Sequence, residues 1–309
     1  MKMNKLYPDN IEPMISINNI CNHRCIFCSR KIEPPTSSKE IKEILKRFKH
    51  CVSIEGGEPL LNKDLVKIVK HTKKEGVREV IIATNGFSLD KKERVKELIN
   101  AGVDVFNFNF PSHIKKIYEA LTQSKDYEKT ILAIKNCINI AGYERVRITY
   151  VINTLNYKYI KKFADFVNSE FKKVFYVELN MIKVLGKVRK RKWLVPKLSD
   201  IYPYLMKGFA EFEKKKINFI SDGIPLCYMT GFEDRNIDAQ IKSVKSNIWI
   251  AEHEKSHFKP CQNCVLKNIC SGPRTDYVKI YGFYELKQVR DKKLLSVIKS
   301  KIKDSRLIA

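Results

Sequence analysis

The chain is 309 residues long, 44% hydrophobic and 10% aromatic, with 59 Lys and Arg against 34 Asp and Glu and a net charge of +25. That length and composition exclude a disordered chain and give one large domain or two, with enough core to stand without disulfide staples. No run of eighteen apolar residues occurs, which excludes a membrane-spanning helix.

The start, Met1 to Pro8, lacks the apolar core of a secretion signal, so the cytoplasm is the expected location. Nine cysteines at short spacings then point to metal rather than disulfides. The positive charge suits an acidic partner, nucleic acid included. Its densest stretch, Lys187, Arg189, Lys190, Arg191 and Lys192 before Trp193, lacks the interleaved aromatics of a base-stacking surface. Lys39, Lys42, Lys46 and Lys49 read as a solvated helix face, so nucleic acid stays an alternative partner only.

Apolar strands and amphipathic helices alternate along the chain. The strands are Met14–Ile17, Val52–Glu55, Val80–Thr84, Val103–Phe110, Val146–Ile152 and Val174–Asn180. Between them, helical spacing recurs in Ile41, Ile44, Leu45 and Phe48, then in Leu65, Ile68, Val69 and Thr72. Val95, Leu98 and Ile99 follow, then Tyr127, Ile131, Ile134 and Ile138, and lastly Ile160, Phe163, Ala164 and Val167. Such alternation predicts an α/β fold with parallel strands inside and helices outside, here an open (β/α)6 half-barrel. Alternation within strands turns Asn107, Asn109, Tyr176, Glu178 and Asn180 toward the cavity, with Arg147, Thr149 and Asn153 on a less regular fifth strand. These polar residues are candidate ligand contacts, and ordinary capping or buried hydrogen bonding is the competing reading. The pattern fades after Asn180. A helix from about Ser199 to Lys215 and a short strand, Ile217–Ile220, follow it. A core of residues 1–215 and a small extension of residues 216–309 are therefore expected.

Cys21, Cys25 and Cys28 form a C-x3-C-x2-C run just after the first strand, with Phe27 before the last cysteine. Three close thiolates can bind three irons of a cubane [4Fe–4S] cluster and leave the fourth iron open to a small molecule. Zinc prefers a closed set of four ligands, and a zinc loop completed by His23 is the competing reading. The strand ending at Glu55 runs straight into Gly56-Gly57-Glu58-Pro59. Glycines there let the backbone approach a ligand closely, Glu58 and backbone groups can receive an amino group, and Pro59 stiffens the turn.

The cysteine run and the Gly-Gly-Glu-Pro turn together resemble the radical S-adenosylmethionine (radical SAM) superfamily, and Thr84-Asn85-Gly86 matches that family's third strand end. The match covers roughly the first two thirds of the chain. It implies a partial TIM-like barrel in which Cys21, Cys25 and Cys28 hold a [4Fe–4S] cluster. The open iron would chelate S-adenosylmethionine for reductive cleavage to a 5′-deoxyadenosyl radical. It also implies a low-potential electron donor of flavodoxin or ferredoxin type. Phe27, Gly56, Gly57, Glu58, Pro59, Thr84, Asn85, Asn109 and Asn153 are the expected cofactor contacts, and Tyr176 and Glu178 the candidates for a general acid, general base or hydrogen-atom donor. The family's serine-leucine-aspartate segment at the fourth strand is replaced here by Asn109-Phe110-Pro111-Ser112.

Cys261, Cys264 and Cys270 form a C-x2-C-x5-C group in a turn-rich stretch, with Cys227 upstream. The stretch resembles the auxiliary-cluster region of SPASM and twitch radical SAM enzymes, which implies a second [4Fe–4S] cluster in a small C-terminal cluster-binding extension. No cysteine follows Cys270, so Cys227 is the fourth ligand by elimination, with His253 and His257 as competitors. A structural zinc knuckle would look the same. Cys51 and Cys137 read as small buried hydrophobes. Three functions fit: a peptide- or protein-modifying enzyme forming thioethers, carbon–carbon links or epimers; a twitch-type dehydrogenase acting on a small metabolite; or a basic metal-binding protein that holds RNA or a partner without turnover.

Overall fold

The computed structural model describes residues 12–30, 33–244 and 254–305. Its chain divides into two compact units. One runs to Tyr150 and includes Phe166–Val177; the other comprises Val151–Asp165 and the chain from Glu178 onward.

The first unit alternates strand and helix as expected. It contains β1 (Met14–Ser16), α1 (Ser38–Arg47), β2 (Cys51–Glu55), α2 (Leu65–Lys74), β3 (Glu79–Thr84), α3 (Lys92–Ala101), β4 (Val105–Asn109), α4 (Lys115–Thr122) and α5 (Tyr127–Ala141). β5 (Val146–Ile152) spans the residues the pattern gave it. Neighbouring strands from β1 to β5 pair in parallel, with Ser16 beside Glu55 and Thr84 beside Phe108. Val80, Ile81 and Ile82 are wholly buried, which is what helices covering a parallel sheet produce. In β4, Phe106 and Phe108 are wholly buried while Asn107 and Asn109 are half-buried, so the polar face stands as the alternation predicted.

Two local readings change. The helix α4 lay outside the sequence pattern because it is short and no side chain caps its start. Tyr118 and Leu121 nevertheless bury completely, and the Tyr118 ring packs edge-on to Tyr127 with centroids 5.4 Å apart. In α5 the buried face is centred on Thr130, Ala133, Ile134 and Cys137, while Ile131 and Ile138 are only half-buried. Small residues lie closest to the sheet there; the eye for isoleucine misses them. Cys51 and Cys137 are both buried free thiols, as expected, and burial pushes Cys51 up to about 12.

The second unit carries α7 (Leu198–Lys214), α8 (Ile237–Val244), α9 (Thr275–Tyr281) and α10 (Lys292–Ser305). The helix α6 (Ile160–Phe166) and the strand β6 (Tyr176–Met181) complete the six-unit series, and β7 (Phe219–Asp222) adds a strand beyond it. The seven strands follow one another in chain order. The fold is a partial TIM-like barrel, as the alternation implied.

The helix α7 lies close to Ile160 because Gly208 has no side chain: a Cβ there would sit 2.3 Å from Ile160 Cγ2. A branched aliphatic neighbour cannot swing aside cheaply. Gly208→Ala is therefore expected to destabilise the chain by about 1–3 kcal/mol despite alanine's better helix propensity, measured by urea unfolding. An unchanged or raised midpoint would contradict this packing.

Candidate active site

The cysteine loop is built against the turn that follows β2. Gly57 N–H donates to Asn18 O (3.0 Å) and Glu58 N–H to Ile20 O (2.8 Å), pairing the two strand ends beyond the sheet proper. Asn18 is buried at the centre: its Oδ1 accepts from Gly57 and Ile20 N–H (both 3.1 Å), and its Nδ2 donates to Glu58 O (2.9 Å). A Cβ on Gly57 would lie 2.1 Å from Ile20 O, and one on Gly56 2.9 Å from Asn18 O. This gives the glycines a use that the sequence reading did not assign. Their missing side chains make room for the chain leading into Cys21.

The far side of the loop hangs from α4. Arg24 N–H donates to Thr122 O (3.0 Å) and Ile26 N–H to Leu121 O (2.8 Å). Arg30 then ties the exit back to the entrance, donating to Ser16 Oγ, Asn18 O and Asn19 Oδ1 at 2.5–2.8 Å. Within this frame Cys21 is exposed and Cys25 and Cys28 half-buried, all three as free thiols. Partial burial raises the Cys21 pKa, and the neighbouring Glu58 and Cys28 add to the rise. Asn85 Nδ2 points at Cys21 Sγ (3.8 Å) and donates to Asn22 Oδ1 (2.9 Å). His23, the fourth ligand of the zinc alternative, is engaged through one ring nitrogen only, and its Nδ1 has no hydrogen-bond partner. It is buried, its Nε2 lies 3.2 Å from Asp126 Oδ2, and burial lowers its pKa.

Glu58 also takes a different role from the one expected of it. The side chain is 1% exposed, and its carboxylate accepts from Thr84 Oγ1 (2.6 Å), Asn85 N–H (2.7 Å) and Leu60 N–H (3.1 Å). It is a latch between the ends of β2 and β3 rather than an open receptor for an amino group. Pro59 opens the short turn Pro59–Leu61, where its missing N–H costs nothing. Phe27 is 5% exposed and buried in the core. Asn109, half-buried at the end of β4, pairs with Thr149 through its backbone, while its side-chain amide has no hydrogen-bond partner among the described residues.

Other candidates stand elsewhere. Arg147 near the start of β5 binds Glu79 (2.8 Å) and Glu12 (3.2 Å), and its guanidinium lies over the Tyr176 ring at 5.3 Å. Glu79 and Tyr176 each open a strand, so this group marks the end of the strands opposite the cysteine loop. Arg147 and Tyr176, both candidates from the sequence, thus stand away from the cysteine loop. In the second unit Asn153 is wholly buried, accepting from Leu155 N–H (3.0 Å) and donating to Val151 O (2.9 Å). It shapes the turn after β5. Glu178 is half-buried on β6.

The second unit also gathers the other cysteines. Cys227, Cys261, Cys264 and Cys270 line one hollow, with His257 at its wall. Backbone N–H groups of Leu226 and Gly272 point at the Cys270 sulfur, the latter at 3.3 Å, and that of Lys287 points at Cys227. Burial pushes Cys227 up to about 12 and Cys270 to about 11. His257 Nε2 is engaged by Cys270 O at 2.8 Å. His253 lies outside the described residues. Among those residues no group of three or more His, Cys, Asp or Glu side chains is arranged to hold a single metal ion. A tetrahedral zinc would draw its sulfurs to roughly 3.8 Å from one another, given Zn–S bonds of about 2.3 Å.

Three thiols on a loop clamped at the strand ends of a parallel half-barrel form a candidate metal-binding centre. Residues 15–167 match the model of the Radical SAM superfamily, and the chain belongs to it as a radical SAM enzyme. A "Probable GTP 3′,8-cyclase" of Saccharolobus islandicus (strain L.S.2.15 / Lassen #1) is 29% identical over 214 residues, which are 66% of this chain and 68% of that protein. A "GTP 3′,8-cyclase" of Limosilactobacillus fermentum (strain NBRC 3956 / LMG 18251) is 32% identical over 167 residues, 48% of this chain and 49% of that one. Among solved structures, Streptococcus suis SuiB bound to S-adenosylmethionine superposes with a TM-score of 0.56 at 20% identity, over 70% of this chain and 51% of that one. The match thus spans about half the length of SuiB, and at that identity it speaks for the fold.

Burial pushes Glu58 up to about 7, so the folded chain keeps a proton that the unfolded chain releases above its ordinary value of 4.5. Stability should therefore fall as pH rises from about 5 toward 7. Glu58→Gln is expected to flatten that slope in anaerobic urea titrations. An equally steep slope in the variant would assign it to another group.

Proposed function

We propose that Cys21, Cys25 and Cys28 hold a [4Fe–4S] cluster and that the chain uses it with S-adenosylmethionine. The observation that carries this is the cysteine loop, which brings three thiols together and is fixed by backbone hydrogen bonds at both ends. When bound, the open iron and S-adenosylmethionine supply one-electron cleavage of the sulfonium and a 5′-deoxyadenosyl radical that takes a hydrogen atom from substrate. The chain's own residues hold and shield. Asn18 and Arg30 fix the loop, Glu58 locks the second strand end to the third through Thr84 and Asn85, and Asn109 offers a free amide to the ligand. Phe27, next to Cys28 in the chain, is buried in the core. The electron comes from a low-potential flavodoxin- or ferredoxin-type carrier, and the setting is the cytoplasm.

A second cluster on Cys227, Cys261, Cys264 and Cys270 fits the common hollow and the backbone N–H groups aimed at two of the sulfurs. Four thiols leave no iron open, so this site would exchange electrons rather than grip substrate. That suits an oxidative outcome such as a thioether or carbon–carbon cross-link, and we infer a peptide or protein substrate from the SPASM- and twitch-like spacing. A second reading, a nucleotide substrate, is favoured by the printed names of the cyclase relatives.

Anaerobic incubation with S-adenosylmethionine and dithionite should yield 5′-deoxyadenosine, and Cys25→Ala should lower it at least a hundredfold. Equal yield from both would overturn the first-site assignment. Consumption of GTP in step with 5′-deoxyadenosine would select the nucleotide reading over the peptide one. Cys227→Ala should keep the cleavage yet lose iron and product. A full iron complement in that variant would remove Cys227 from the ligand set.

A further inference from the structure

The second cysteine group sits on two separate stretches of chain. Cys261, Cys264 and Cys270 belong to a loop whose ends meet at an antiparallel bridge between Lys255 and Arg274. Gly272 (φ +80°) closes that base tightly, since a Cβ on it would lie 2.1 Å from Ser256 O. Cys227 belongs to the other stretch, shortly after Asp222 ends β7.

A buried cation spans the two. Lys255 is 5% exposed, and its Nζ lies 2.5 Å from Asp222 Oδ1 and 2.7 Å from Asp238 Oδ2. Around it, Arg274 binds Glu254 (2.8 Å) and Asp276 (3.1 Å), and Glu254 binds Lys183 (3.0 Å). Every charge at the loop base therefore has an opposite neighbour. A buried pair of this kind adds little net stability over apolar packing, but it fixes which segments meet, because any other register strands a charge. Of the two carboxylates on Lys255, Asp222 stands on the segment that leads to Cys227, and Asp238 stands on α8.

We propose that Lys255 is a positioning residue: by binding Asp222 it sets Cys227 against the Cys261–Cys270 loop, so that four thiols face one hollow. The inference rests on the second-cluster reading above and names what assembles that site.

Asp222→Asn and Asp238→Asn test it, since each removes one carboxylate and leaves Lys255 one partner. After anaerobic reconstitution, Asp222→Asn should lose about half the iron and acid-labile sulfide bound by the unaltered chain, with dithionite-driven 5′-deoxyadenosine formation intact. Asp238→Asn should keep both metal and sulfide. If Lys255 merely needed neutralising, Asp238 would matter at least as much, because its side chain is 5% exposed against 21% for Asp222. Loss in Asp238→Asn equal to that in Asp222→Asn, or no loss in either, would overturn the proposal. A triple variant, Asp222→Asn with Asp238→Asn and Lys255→Met, leaves none of these three charges buried. It should fold, cleave S-adenosylmethionine and still lack the second complement of iron; recovery of that iron would also overturn the proposal. Iron for one cluster only in the unaltered chain would instead overturn the parent reading, and this inference with it.

Discussion

The arrangement of the first site depends on two backbone hydrogen bonds made where no side chain can fit. Gly57 and Glu58 pair with Asn18 and Ile20, and that pairing holds the entry to the cysteine loop against the end of β2. A methyl group on Gly57 would have to occupy the space of Ile20 O. The rest of the site follows from this contact. Asn18 satisfies the groups that the pairing leaves over, Arg30 closes the loop, and Glu58 carries the constraint on to β3 through Thr84 and Asn85. Three strand ends are thereby locked to one another, which lets short, flexible cysteine side chains present a fixed geometry.

A charged side chain buried to this end carries a cost. Glu58 has hydrogen-bond donors around its carboxylate but no cation among the described partners, and its proton affinity rises accordingly. The loop base in the second unit takes the opposite course. Lys255 and Arg274 are matched by Asp222, Asp238, Glu254 and Asp276, so its charges remain charges. One site is ordered by neutral hydrogen bonds and the other by opposed ions.

Much of this was legible in the residues. Period-two and period-3.6 patterns gave the strands and most helices, because a sheet sheathed by helices forces apolar runs. The cysteine spacing and the turn after β2 marked the site, since both are local. What could not be read is who lies opposite whom. The purpose of Gly56 and Gly57 depends on Asn18 and Ile20, about forty residues away. The placing of Tyr176 depends on Arg147, Glu12 and Glu79 meeting at the other end of the strands. Asn153 looked like a ligand contact because a polar residue after a strand has the same signature whether it serves a cofactor or its own turn. The helix α4 escaped for a related reason: its eight residues offer too few turns for a period to show.

The suspension of the cysteine loop from α4 on one side and from Asn18, Gly57 and Glu58 on the other has a practical corollary. Two elements far apart in the sequence therefore share the fixing of the loop, α4 through Arg24 and Ile26 and the turn after β2 through Asn18 and Ile20. A disturbance of α4 thus reaches the three thiols as directly as one in the turn after β2, although the helix carries no cysteine of its own.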